Sequence, residues 1–199
     1  MITPLNANTF DSLQLDAGVF VLGFDPSDYA SSNALITALA SFIGDDTKCL
    51  GATRGGSSFN VKRENREVEA DGKRYSFVGS TMTDSIDAYI STKLIEITKG
   101  NLARGLGSAD AVVNQKVTTI TPRTRYKDSD YIGELCWVGE TANGVMAIYF
   151  KNALNTADFS YKINDKGEGE LDVEFHAYQD TVSDYDNPPF VLYLLAPST

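Results

Sequence analysis

The chain has 199 residues, 42% of them hydrophobic, a net charge of −10 and a pI near 4.5. That apolar content excludes general disorder and fits one globular domain, residues 1–199, with or without arms. The excess of acid excludes a nucleic-acid grip by clustered Lys and Arg. Residues 1–127 hold 14 acidic and 14 basic side chains. Residues 128–199 hold 13 acidic and 3 basic, and so carry the whole charge. Such a surface suits repelling polyanions or staying soluble when concentrated. Cys49 and Cys136 are too few for a disulfide scaffold and read as reduced thiols. The opening MITPLNANTF has neither a basic stretch nor an apolar core, so no signal peptide is expected; synthesis in a cytoplasm is, with any later export by another route. No apolar run approaches the roughly 20 residues that span a bilayer.

In chain order, Ala17 to Phe24 (AGVFVLGF) reads as a buried strand closed by Asp25-Pro26, with Leu13 and Leu15 expected on the same core. Ser31 to Ile43 reads as a helix capped by Ser31 or Ser32. Leu35, Leu39 and Phe42 share one face, flanked by Ile36 and Ile43, and Gly44 is a C-terminal cap. That helix is expected to cover one face of a sheet.

Ser57 to Thr98 is the unusual stretch. Asp71-Gly72 reads as a two-residue hairpin turn. The arm before it, Ser57 to Ala70, has only Phe59, Val61 and Val68 as large apolar residues. Lys62, Arg63, Glu64, Arg66, Glu67 and Glu69 occupy much of the rest, and Lys73 and Arg74 follow the turn. A ribbon so polar has no core of its own and is at best marginal alone. Residues 57–80 are therefore expected to project and to lie on something else. A separate, half-buried third strand is expected from Ile86 to Leu94, where apolar and polar residues alternate.

Lys99 to Leu106 reads as a weak helix, residues 103–116 as a connector, and Val117 to Thr121 as a strand ended by Pro122. In the last third, Tyr131 to Gly139 and Gly144 to Asn152 flank Asn143-Gly144 as a hairpin. Ala157 to Ile163 and Glu168 to Tyr178 form a second, and Phe190 to Leu195 closes the sheet. About nine strands and one good helix make the fold mainly β, an antiparallel sandwich or barrel with a covering helix. Along Glu168 to Tyr178 one parity is Glu168, Glu170, Asp172, Glu174 and His176. The other is Leu171, Val173, Phe175 and Ala177. This is an acidic comb over a core stripe, read either as a solvated outer face or as a functional negative surface.

No catalytic or metal motif emerges. His176 is the one histidine, without a serine elbow. The calcium-loop start at Asp128 fails at Ile132 and Gly139, and Gly105-Leu-Gly107 lacks the third glycine of a dinucleotide fingerprint. No cofactor and no enzyme activity are expected.

Four stretches carry a family resemblance: LQLDAGVFVLGFDP (13–26), GATRGGSSFNVKRENREVEADGKR (51–74), DSIDAYISTKLIEITKGNL (84–102), and the closing sheet segment 132–178 with NPPFVLYLL (187–195). In that order they resemble the major tail tube proteins of long-tailed bacteriophages. The resemblance implies a structural virion protein, made in the host cytoplasm, whose hexameric rings stack into a hollow tube. It implies tape-measure, tail terminator and baseplate proteins as partners, and transient passage of DNA without specific binding or any membrane. Phe59, Lys62, Arg63, Arg66, Asp71, Gly72, Lys73 and Arg74 would belong to an inter-subunit arm. Glu168, Glu170, Asp172 and Glu174 would form a lumenal acidic face. The other readings are a monomeric β-barrel that binds a small ligand in an enclosed cavity, and a hydrolase with an unannounced site.

Overall fold

The computed structural model describes residues 13, 14, 16–45, 47–180 and 187–197. Among them lie β1 (Val19–Leu22), α1 (Ser32–Ile43), β2 (Thr53–Glu67), β3 (Thr81–Leu94), α2 (Lys99–Gly105), β4 (Ala109–Asn114) and β5 (Val117–Pro122). The last third supplies β6 (Ile132–Thr141), β7 (Gly144–Asn155), β8 (Ser160–Lys162), β9 (Glu170–Tyr178) and β10 (Phe190–Leu195).

Eight strands form one antiparallel sheet in the order β1-β6-β7-β9-β3-β2, with β10 on β7 and β8 on β9. The fold is mainly β, as the alternating patterns require, and the sheet does not close into a barrel. β7 divides its length between partners. One edge pairs β6 from Ile132↔Ala153 to Thr141↔Gly144. The other pairs β10 over Val145–Phe150, then β9 over Asn152–Asn155. The sheet bends there: Phe20 of β1 and Leu171 of β9 share one apolar cluster although β6 and β7 lie between them. That cluster also holds Leu135, Trp137, Ile148, Phe150, Ile90, Leu94, Val173 and Phe175.

The opposite face of β1, β6 and β7 carries Val21, Cys136, Val138, Val145 and Ala147, and α1 covers it with Leu35 and Leu39. Ser31 caps this helix, its hydroxyl accepting from the Ala34 N–H at 3.4 Å. Phe42 meets Phe24 edge-on at 5.1 Å, while Ile36 and Ile43 stay exposed on the flanks. Leu13 is exposed rather than docked on the core, and Leu15 lies outside the described residues. Cys49 and Cys136 are both buried thiols, outside any disulfide. Burial pushes the Cys136 thiol well above its ordinary value.

Two sequence expectations change. The β6–β7 loop is Ala142-Asn143, and Gly144 is the first residue of β7. Gly144 sits at φ +130 because β10 ends against it: a Cβ there would lie 2.1 Å from the Leu195 carbonyl oxygen. The stretch read as a connector over residues 103–116 contains β4, which pairs β5 in a second, two-stranded sheet.

Candidate assembly surface

The charged ribbon is a single hairpin rather than a hairpin followed by a third strand. β2 pairs β3 directly, from Thr53↔Leu94 to Glu67↔Thr81. The polar half of β2 therefore takes as partner the polar first half of β3, Thr81 to Ser85. Apolar alternation, which began the third strand at Ile86, is blind to a strand with solvent on both faces. Near the root, Phe59 packs on Phe150 and Phe190, with ring centres 6.0 and 5.7 Å away. Phe59 is thus a partly buried residue that anchors the arm on the core. Lys62 lies over the Tyr89 ring at 4.8 Å. Beyond the Lys62↔Asp87 pair both strands are exposed apart from their backbone ladder. Cross-strand polar bonds replace a core there: Arg66 to Asp84 at 2.7 Å, Thr83 to Asn65 at 2.9 Å and Ser85 to Glu64 at 3.1 Å.

Residues 68–80 form the tip. Asp71-Gly72 is a turn within it rather than the joint of two long strands, with Gly72 at φ +83 and the Lys73 N–H on the Ala70 carbonyl. Lys73 is committed to holding this tip, donating to the Glu67 carboxylate at 2.6 Å and to the Val68 carbonyl at 2.8 Å. Ser80 also donates to Glu67 at 2.9 Å. Lys73, Ser76 and Ser80 hold the Glu67 carboxyl down at about 2, against an ordinary 4.5. Tyr75, Phe77 and Val78 stand exposed beside it. Among the described residues, Arg63 and Arg74 pair with no carboxylate. Among the described residues the far edge of β2 has no strand partner, since β2 ends the sheet.

The acidic comb exists on β9, but it is not bare. Glu170 is buried and lies 3.3 Å from Arg54, 3.7 Å from Lys93 and 4.0 Å from Lys162. Glu168, just before the strand, meets Arg54 at 2.5 Å, and Asp172 meets Lys93 at 3.8 Å. The Arg54 bond, then its charge, lowers the Glu168 carboxyl from its ordinary value, and the same bond raises Arg54. Glu174 contacts His176 at 3.0 Å, and His176 reaches Asp87 of the arm at 2.7 Å while stacking on Tyr89 at 5.0 Å. The register that places Lys93 opposite Asp172 and Tyr89 opposite His176 supplies these partners. One strand read alone does not reveal them. Beside the comb, an open cleft of about 580 Å³ is lined by Arg54, Gly55–Ser58, Ser91–Lys93 and the β9 acids.

The β4–β5 hairpin is a second projection. Val112, Val113 and Val117 are exposed at its end. Its base is tied by Asp110 to Arg123 at 3.0 Å and to Lys127 at 3.1 Å, with Arg123 also on Asp130. The signal available in sequence was Ala111-Val112-Val113 and Val117 either side of Gln115, whose φ is +54.

Among the described residues, no group of three or more His, Cys, Asp or Glu side chains is placed to hold a metal, and no helix is long and apolar enough to cross a membrane. No protein-family model matches the chain, and no curated protein does. Among solved structures, a chain from the virion of a native gene transfer agent particle is similar over 68% of this chain and 88% of that one. Its TM-score is 0.38 and its identity 13%, a likeness too slight to bear on function.

Proposed function

We propose that this chain is a tail tube subunit: a structural virion protein whose copies close into hexameric rings that stack into a hollow conduit for DNA. The observation that carries the reading is the β2–β3 arm. β2 is fifteen residues long, runs beyond the core with solvent on both faces, and among the described residues ends the sheet on an unpaired edge. Its tip presents Tyr75, Phe77 and Val78 to solvent. In a monomer such an edge and such a tip are liabilities. In an assembly they are contact surface, and the valines of β4–β5 add to it. Rings arise from a heterologous contact whose rotation closes. The polar face of β9 and β3 is charge-compensated and offers no basic cluster to phosphates, which suits a wall along which DNA slides. In this reading the tape-measure protein occupies the tube before DNA, and terminator and baseplate proteins cap its ends. An enclosed ligand cavity finds no support in an open sheet.

Negative-stain microscopy of the purified chain tests this. Rings or filaments are expected. A variant with residues 63–86 replaced by Asn-Gly keeps the Lys62↔Asp87 pair and should fold as a monomer that does not assemble. A parent protein that stays monomeric at high concentration sinks the proposal.

A further inference from the structure

An apolar cleft opens at the root of the arm, where the sheet fails to close between the β1 side and β2. Phe59, Ile90, Trp137, Met146 and Ile148 line it, and it holds about 290 Å³. Gln14 and Asp16 form its rim, and the Ala17 carbonyl there accepts from the Trp137 Nε1–H at 3.2 Å. A cavity of ~150 Å³ admits a benzene ring, so this one has room for an aromatic side chain and part of a neighbour. Among the described residues Asp16 has no cationic partner.

The arm tip has the complementary chemistry. Phe77 and Tyr75 are exposed aromatics, Val78 is fully exposed, and the adjacent Arg74 is a cation without a carboxylate. We propose that the tip of one copy docks in the cleft of another, Phe77 entering between Phe59, Trp137 and Met146 while Arg74 meets Asp16. The same copy cannot supply both halves. Phe59 is at the root and Glu67 at the far end of one continuous strand, eight residues apart and so about 27 Å at strand rise. The contact is therefore head-to-tail and propagates. It rests on the tube reading in that it needs neighbouring copies, and it names the two surfaces that meet.

The test uses full-length chains. One population carries Asp16→Cys and the other Arg74→Cys, and a short bismaleimide is added to the mixture. Cys49 and Cys136 are buried and do not compete. A cross-linked dimer is expected from the mixture under conditions where microscopy shows assemblies, and from neither population alone. Phe77→Ala should raise the concentration needed for assembly at least tenfold. Arg74→Glu and Asp16→Arg should each weaken assembly, and mixing the two should restore it. Parental assemblies without cross-link, with Phe77→Ala assembling as the parent does, overturn the docking and leave the tube reading standing. A parent that never assembles overturns both. If removing residues 1–12 abolishes assembly while Phe77→Ala does not, the cleft belongs to the N-terminal segment and the proposal falls.

Discussion

Asn101 and Asn155 are two buried amides that tie α2 to the body. Asn101 Nδ2 donates to the Leu50 carbonyl at 2.8 Å and to the Glu96 carbonyl at 2.9 Å. Asn155 donates to the Gly105 carbonyl at 2.7 Å and accepts from the Glu174 N–H at 2.8 Å. Asn101→Ala orphans two carbonyls and should cost about 1–3 kcal/mol in denaturant unfolding. A variant as stable as the parent would show that water replaces the amide. Neither asparagine stood out in the sequence, because a polar residue in a weak helix (Asn101) or at a strand end (Asn155) looks solvated until the chain that covers it is placed. Glu67 gives a pH prediction. Its carboxyl is lower in the folded tip, at about 2, than its ordinary 4.5. The stabilisation is therefore full above about 4.5 and is lost as pH falls toward 2. The Lys73 and Ser80 amide resonances should move in that window. Invariant shifts from pH 5 to pH 2 would mean that the tip does not depend on the ionised carboxylate.

At the scale of elements, Leu39 sits on the buried face of α1 against Val21, Val138 and Ala147. Leu39→Ala should cost about 2–5 kcal/mol through lost burial and the cavity left behind, and the loss should be visible in the monomer before any assembly. An unchanged melt would detach α1 from the core and make it an assembly element. What the sequence shows of the elements follows burial. β1, β6, β7, β9 and α1 each hide at least one face, and the period or the unbroken run of their apolar residues displays it. The outer half of β3 and nearly all of β4 hide neither face, so periodicity has nothing to report. Beyond the valines beside Gln115, their strand character comes from a partner ladder, which register reveals. The same blindness placed the Asp71-Gly72 turn between two long strands, when the strands end at Glu67 and Thr81.

For the whole molecule, the acids of the last third meet bases from the first two thirds. Arg54 and Lys93 reach Glu168, Glu170 and Asp172 across strands far apart in sequence. The comb was legible as a stripe, but its neutralisation was not, since charge counted along the chain ignores what the fold brings near. Reversing Glu168, Asp172 and Glu174 to Lys, with buried Glu170 left intact, makes this face basic. If it lines a conduit, tubes should still form, and DNA ejection from reconstituted particles should slow, more so at low salt where screening is weak. Ejection at the parental rate at low ionic strength would place the comb on the outside.

The pairing of β1 with β6 has a consequence in time. Val19 lies opposite Val138, and Leu22 opposite Leu135. A chain emerging from the ribosome completes the β2–β3 hairpin by Leu94, but β1, until then bridged only at Val21↔Cys49, meets its strand partner β6 about forty residues later, and Gly144 meets β10 only when Leu195 is made. Local pairs form ahead of distant ones because less loop entropy opposes them. Of the strand pairs in the main sheet, β2–β3 is thus the first whose two halves are both made, and the β7–β10 pair is the last. On the docking proposed above, nascent chains would present a hook before any of them owned an eye, and polymerisation would wait for release of a finished subunit.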